Sequence, residues 1–178
     1  MSAEKEGVKV VAEAGGDNEP KNPVRGKNVH VTSVSVQGKD FIIRSKISKR
    51  GVKFPFTDED DKTWHNRFLI TVTRMKGNNP VAMASFPFYG SHKDFEEDVT
   101  TLSDEDMKFA FRAFLEDANF GAMEFKDFCA ELGYDEDSYR ARRIYWLCKK
   151  SLAKARNLGF TDDEIIDALN ELSEQGVE

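Results

Sequence analysis

Two cysteines, three histidines and five prolines in 178 residues leave little material for several kinds of chemistry. Cys129 and Cys148 cannot make a disulfide framework and have no metal-ligand spacing. Both fall at apolar positions of predicted helices, so they read as small buried hydrophobes in a reducing cytosol. His30, His65 and His92 are widely spaced in strand or loop contexts, which argues against a zinc site or a histidine-based catalytic site. The Gly90-Ser91-His92-Lys93 run lacks the glycine spacing of a phosphate loop. No serine stands in a nucleophile-elbow context. The acidic run Asp58-Glu59-Asp60-Asp61 lacks the oxygen spacing and central glycine of a calcium loop. No apolar run approaches the ~20 residues of a membrane span, and the beginning of the chain lacks the apolar core of a signal peptide. These absences point to a soluble cytoplasmic protein with no cofactor, no metal and no membrane partner, and to binding rather than catalysis.

What is present is enough for a real core. The hydrophobic fraction is 39% and there are 14 phenylalanines, which excludes global disorder and suits one domain. Residues 1–28, rich in Glu, Lys, Gly and Asn, read as a disordered or partner-ordered arm. Residues 29–178 read as a single α+β domain. Its β-region spans 29–90 and its helical region 102–175.

In the β-region the apolar period is close to two. Val29, Val31, Val34 and Val36 precede the turn signal Gln37-Gly38-Lys39-Asp40. Phe41, Ile43 and Ile47 alternate after it. Segments 28–36 and 41–48 therefore form a predicted hairpin. Trp64–Arg74 and Val81–Phe88, joined by Lys76-Gly77-Asn78-Asn79-Pro80, form a second. Pro87 suits a strand end or a sheet edge. About four strands give a small antiparallel sheet.

From Leu102 the period becomes 3.6. Ser103 and Asp106 make an acidic capping box, with Leu102 and Met107 as a hydrophobic staple. Met107, Ala110, Phe111, Phe114, Leu115 and Ala118 form one stripe. A second helix runs from Met123 to Leu132, with Phe125, Phe128, Cys129 and Leu132 inward and Gly133 as its terminator. A third begins near Asp137. It buries Ala141, Ile144, Tyr145, Cys148, Leu152 and Ala155 and stops at Gly159. The last has Thr161 as N-cap, Glu164 at N3 and a Phe160–Ile165 staple. Ile165, Ile166, Leu169 and Leu172 are its predicted apolar face. Strands followed by about four helices define an α+β chain.

Two motifs carry a resemblance. One is Phe68-Leu69-Ile70-Thr71-Val72-Thr73-Arg74 leading to Ser85-Phe86-Pro87-Phe88-Tyr89-Gly90-Ser91. The other is Phe125-Lys126-Asp127-Phe128-Cys129-Ala130-Glu131-Leu132-Gly133-Tyr134-Asp135-Glu136-Asp137-Ser138, followed by Ala141 and Ile144-Tyr145. Together they resemble a group of small uncharacterised bacteriophage and prophage accessory proteins with a Phe-Cys-Gly-Tyr-Asp helix-turn-helix segment. The resemblance covers about residues 64–158. The group usually lacks the first 60 residues, so the N-terminal hairpin and arm are an elaboration. It implies a phage or mobile-element origin and brings no catalytic residues. Physically, the second motif reads as a tight corner. Gly133 supplies a positive φ, and Asp135, Asp137 or Ser138 caps the next helix. A DNA-reading helix-turn-helix stays open, with Arg140, Arg142 and Arg143 early in the second helix.

Charge is strongly segregated. The chain carries a net −6, yet Tyr139–Leu158 holds seven basic side chains and no acidic one. Between Asp94 and Asp137 acidic residues far outnumber basic ones. That block is either a solvated face or an imitation of a phosphate backbone. At about 100° per residue, Arg142, Lys149 and Arg156 line one flank of the basic helix. Arg143, Lys150 and Lys154 line the other, with Trp146 between the rows and opposite the apolar stripe. Either the arm or the acidic block covers Trp146, or a partner does. An aromatic among cations suits base stacking with phosphate contacts, a protein hot spot or a homodimer contact. The candidate partner-binding residues are thus Arg142, Arg143, Trp146, Lys149, Lys150, Lys154 and Arg156. The resemblance and the charge pattern together give an expectation of a non-enzymatic phage accessory protein in the host cytoplasm. It would block a host protein or ribonucleoprotein machine, such as a CRISPR-type defence complex, by steric occlusion. The alternative is a nucleic-acid-binding accessory of phage replication or regulation.

Overall fold

The structure, a computed structural model, describes residues 29–53, 64–91 and 100–177. The N-terminal arm, the acidic run at 58–61 and His92 lie outside the described residues. Two two-residue turns set the sheet. Gln37 and Gly38 both take positive φ (53° and 69°), as a type I′ hairpin turn requires. They join β1 (His30–Val36) to β2 (Lys39–Lys53). Among the described residues Gln37 is the one non-glycine residue in that region, and Glu171 holds it there: the Gln37 backbone N–H and side-chain amide both donate to Glu171 Oε1, at 2.9 and 2.7 Å. Gly77, with φ 62°, makes the second turn, between β3 (Trp64–Lys76) and β4 (Asn79–Ser91). The strands lie in the order β1-β2-β3-β4, each antiparallel to its neighbour.

β2 runs on past residue 48, where the sequence pattern breaks. Its register shifts between Ile47, Lys49 and Val52, and Gly51 takes positive φ. Asn66, buried in β3, accepts the Gly51 N–H at 3.1 Å. The irregularity is held, so the strand survives a run with no alternation. Pro87 sits inside β4, opposite Leu69, rather than at its end. β4 is an edge strand, and that is where a residue without an N–H is tolerated.

Four helices follow: α1 (Asp104–Gly121), α2 (Phe125–Leu132), α3 (Tyr139–Asn157) and α4 (Asp162–Glu174). The fold is α+β. Both predicted capping boxes form, at Ser103/Asp106 and Thr161/Glu164. Gly133 ends α2 in the left-handed region. Two expected core positions are on the surface. Leu132, in the last turn of α2, and Ile166, on α4, are 38% and 49% exposed. On α4 the smaller Ala168 is buried instead, because the face that α4 turns to α1 runs through Ile165, Ala168 and Leu172.

Among the described residues there are two apolar cores. The larger joins one sheet face (Val34, Val36, Phe41, Ile43, Phe68, Ile70, Val72, Phe86) to α1, to α4 and to the C-terminal half of α3. Phe86 stacks on Phe114 at 4.5 Å between centroids, and Phe41 on Phe160 at 5.5 Å. Each such buried ring contributes about 1.5–3 kcal/mol by leaving water. The smaller core lies between the end of α1, α2 and the N-terminal half of α3. Phe128 is its centre, in ring contact with Phe120, Phe125, Tyr134 and Tyr145. Gly121 stands where the two meet. A Cβ there would overlap the backbone of Cys148 and Lys149, so only glycine lets α1 and α3 approach this closely.

Candidate functional site

The basic helix is seated by its apolar stripe. Ser138 caps α3, its Oγ accepting the Ala141 N–H at 3.1 Å. Ala141, Cys148, Leu152 and Ala155 are buried, and Ile144 and Tyr145 half-buried. The Tyr145 hydroxyl donates to the Met123 carbonyl at 2.5 Å, which locks the helix's rotation against the α1–α2 connection. That rotation carries Arg142, Arg143, Trp146, Lys149 and Lys150 to the surface.

Trp146 is 57% exposed. Among the described residues no acidic helix covers it. The Lys150 ammonium lies over its ring, 4.5 Å from the centroid, and Lys149 lies 5.2 Å from the Tyr145 ring. These cation–π contacts hold the ammonium groups beside the aromatic surface while leaving them solvated. One residue on this face escapes a reading that follows charge alone. Tyr139, seven positions before Trp146 and so on the same side of the helix, is 80% exposed. Its signal was the i, i+7 spacing of two aromatics outside the apolar stripe.

The two cationic rows do not run the length of the helix. Lys154 and Arg156 belong to the fold. Lys154 is half-buried and its ammonium donates to the Ser85 carbonyl at 2.7 Å, on β4. Burial, and then neighbouring Lys150, lower its pKa. Arg156 forms a two-pronged pair with Asp162 at the start of α4, at 3.0 and 2.9 Å. That hydrogen bond raises the Arg156 pKa and lowers that of Asp162. The cause is position. The last turns of α3 lie against β4 and the α3–α4 corner, where a carbonyl and a carboxylate wait. Of the candidate partner-binding residues, Arg142, Arg143, Trp146, Lys149 and Lys150 are exposed, with Tyr139 beside them, while Lys154 and Arg156 also bond β4 and α4.

The acidic side chains border this face. Glu124 just before α2, Asp127 and Glu131 within it, and Asp135, Glu136 and Asp137 of the corner are exposed. Part of the acidic block has structural work: Asp106 is buried as a capping residue, and Asp104 pairs with His30 at 2.5 Å. Asp117, on α1, is crowded by protein atoms yet keeps accessible surface. Desolvation, and then Glu116, raise its pKa to about 6. Both thiols are buried and held protonated. Burial and then Asp117 push Cys148 up to about 12, and burial, Glu136 and Asp135 raise Cys129 against the opposing charge of Arg142. Burial and a raised pKa both disfavour the thiolate form. Among the described residues there is no group of three or more His, Cys, Asp or Glu side chains placed to hold a metal ion, and no helix long and apolar enough to cross a membrane. Comparisons with family models, with curated proteins and with solved structures find no match for this chain.

Proposed function

We propose that this is a non-enzymatic accessory protein of a phage or mobile element that docks through α3 on a host macromolecular machine and occludes it, a nucleic-acid-containing defence complex being the class its chemistry suits. The observation that carries the binding role is Trp146, 57% exposed between Arg142, Arg143, Lys149 and Lys150. Trp and Arg are the residues on which interfaces concentrate their energy. The phage setting rests on the resemblance of residues 64–158, and the occlusion mechanism on charge segregation. An acidic chain with one basic face approaches an anionic target in one orientation.

The test is affinity capture with the tagged full chain from cells of a bacterial host, under conditions that preserve complexes. A stoichiometric host complex that is lost with Trp146→Ala supports the reading. Recovery of the tagged chain alone from every host tried refutes it.

A further inference from the structure

We infer that α3 from Tyr139 to Lys150 is a platform for single-stranded nucleic acid, with Trp146 and Tyr139 stacking on bases and Arg142, Arg143, Lys149 and Lys150 holding the phosphates between and beyond them. This rests on the reading that α3 is the docking face, and names what the face touches.

The residue types on the face select this occupant. Among the described residues its exposed large side chains from Tyr139 to Lys150 are two aromatics and basic groups. A protein–protein interface has an apolar centre of many residues and is depleted in lysine. Here lysines flank the tryptophan, and one ammonium lies over its ring. Strand-binding surfaces combine these two elements, a cationic track and aromatic faces that accept any base. A duplex hides its base faces, so exposed aromatics gain nothing from it.

Spacing sets the footprint. Seven residues of helix separate Tyr139 from Trp146 by about 10 Å along the axis. That is about three times the ~3.4 Å step of one nucleotide along a strand. Two rings that far apart bracket two intervening bases, so the site spans about four nucleotides. Lys149 and Lys150 extend it by a turn past Trp146. The acidic corner at Asp135, Glu136 and Asp137 lies at the Tyr139 end and repels phosphates there. The strand therefore ends near Tyr139 and is held most firmly at the Trp146 end. Net charge of −6 makes the contact local and salt-sensitive rather than a general affinity for nucleic acid.

The measurement is fluorescence anisotropy of labelled dT12 and rU12 with the purified full chain at low salt, beside a 12-base-pair duplex. Both strands bind, the duplex about 10-fold more weakly or worse. Trp146→Ala weakens strand binding by about 10-fold or more, Tyr139→Ala by about 5-fold, and Trp146→Phe by less than either. Four phosphate contacts give a log–log salt slope of about −2.8, from about −0.7 for each contact on a single strand. Glu136→Gln, which removes one repelling charge at the Tyr139 end, tightens binding. The dT12 and rU12 arms tell DNA from RNA as the preferred strand. Absence of binding to either strand at low salt, equal affinity for duplex, or an unchanged affinity in folded Trp146→Ala overturns the inference. If neither strand binds while a host complex is still captured through Trp146, the strand is the wrong occupant and the docking face stands. If capture fails as well, both fall.

Discussion

The two halves of α3 share one charge and one apolar stripe, yet they do opposite things. In the C-terminal half each cation named for binding meets an internal acceptor: Lys154 the Ser85 carbonyl, Arg156 the Asp162 carboxylate. Before that stretch the lysines meet ring faces, Lys149 that of Tyr145 and Lys150 that of Trp146. An acceptor takes up the cation's N–H groups, whereas a ring face only positions it. The difference lies in what each half packs against. The C-terminal half meets β4 and α4, and the N-terminal half meets the small aromatic core of α1 and α2. Charge on a helix thus says little until its neighbours are known.

The comparison can be broken at several points. Leu152 is buried in the large core, so Leu152→Ala should cost about 3 kcal/mol in urea unfolding. Trp146→Ala, on the exposed face, should change stability by less than about 0.5 kcal/mol. Equal losses would mean that Trp146 is part of the core. Gly121→Ala places a methyl against the Cys148 backbone, at the junction of the halves. It should cost about 2 kcal/mol despite the better helix propensity of alanine, and a neutral result would remove the close approach of α1 and α3. Lys154→Ala leaves an edge-strand carbonyl without its donor and should cost about 1 kcal/mol, whereas Lys150→Ala should leave the melting temperature unchanged. If both behave alike, the division of α3 disappears.

The smallest effect is electrostatic. Asp117 titrates at about 6 in the folded chain, above the ordinary carboxylate value of 3.8. Its neutral form is the one favoured by folding. Its contribution is therefore complete below about pH 4 and is lost as the pH rises through about 6. Asp117→Asn should flatten the fall in stability over that window, by a small amount because the side chain retains water contact. A pH profile identical to that of the unsubstituted chain would contradict the shift.

Much of the architecture was legible because local signals agreed with one another. Ser103, Thr161 and Gly133 mark helix ends by chemistry that acts within three or four residues, and the structure uses all three. Strand alternation likewise reports which face is inward. What escaped depends on distant partners. Nothing near Lys154 announces Ser85, 69 positions away. The run of β2 through Gly51 depends on Asn66 in another strand. Leu132 and Ile166 fit an apolar period, but period fixes a face and not how much of it a neighbour covers. Of the candidate surface, the basic residues and Trp146 were readable as a set. The boundary after Lys150 was not, because it is drawn by β4 and α4.

One helix spanning two separate cores also has a dynamic consequence. Loosening the small core around Phe128 need not disturb the sheet. Amide protons in the first half of α3 can then exchange with solvent through a partial opening of α2 and the corner at Gly133. Those beyond Cys148 must wait for the whole domain to unfold. The surface that carries Trp146 is in that case the part of the molecule freest to adjust its shape to what it meets.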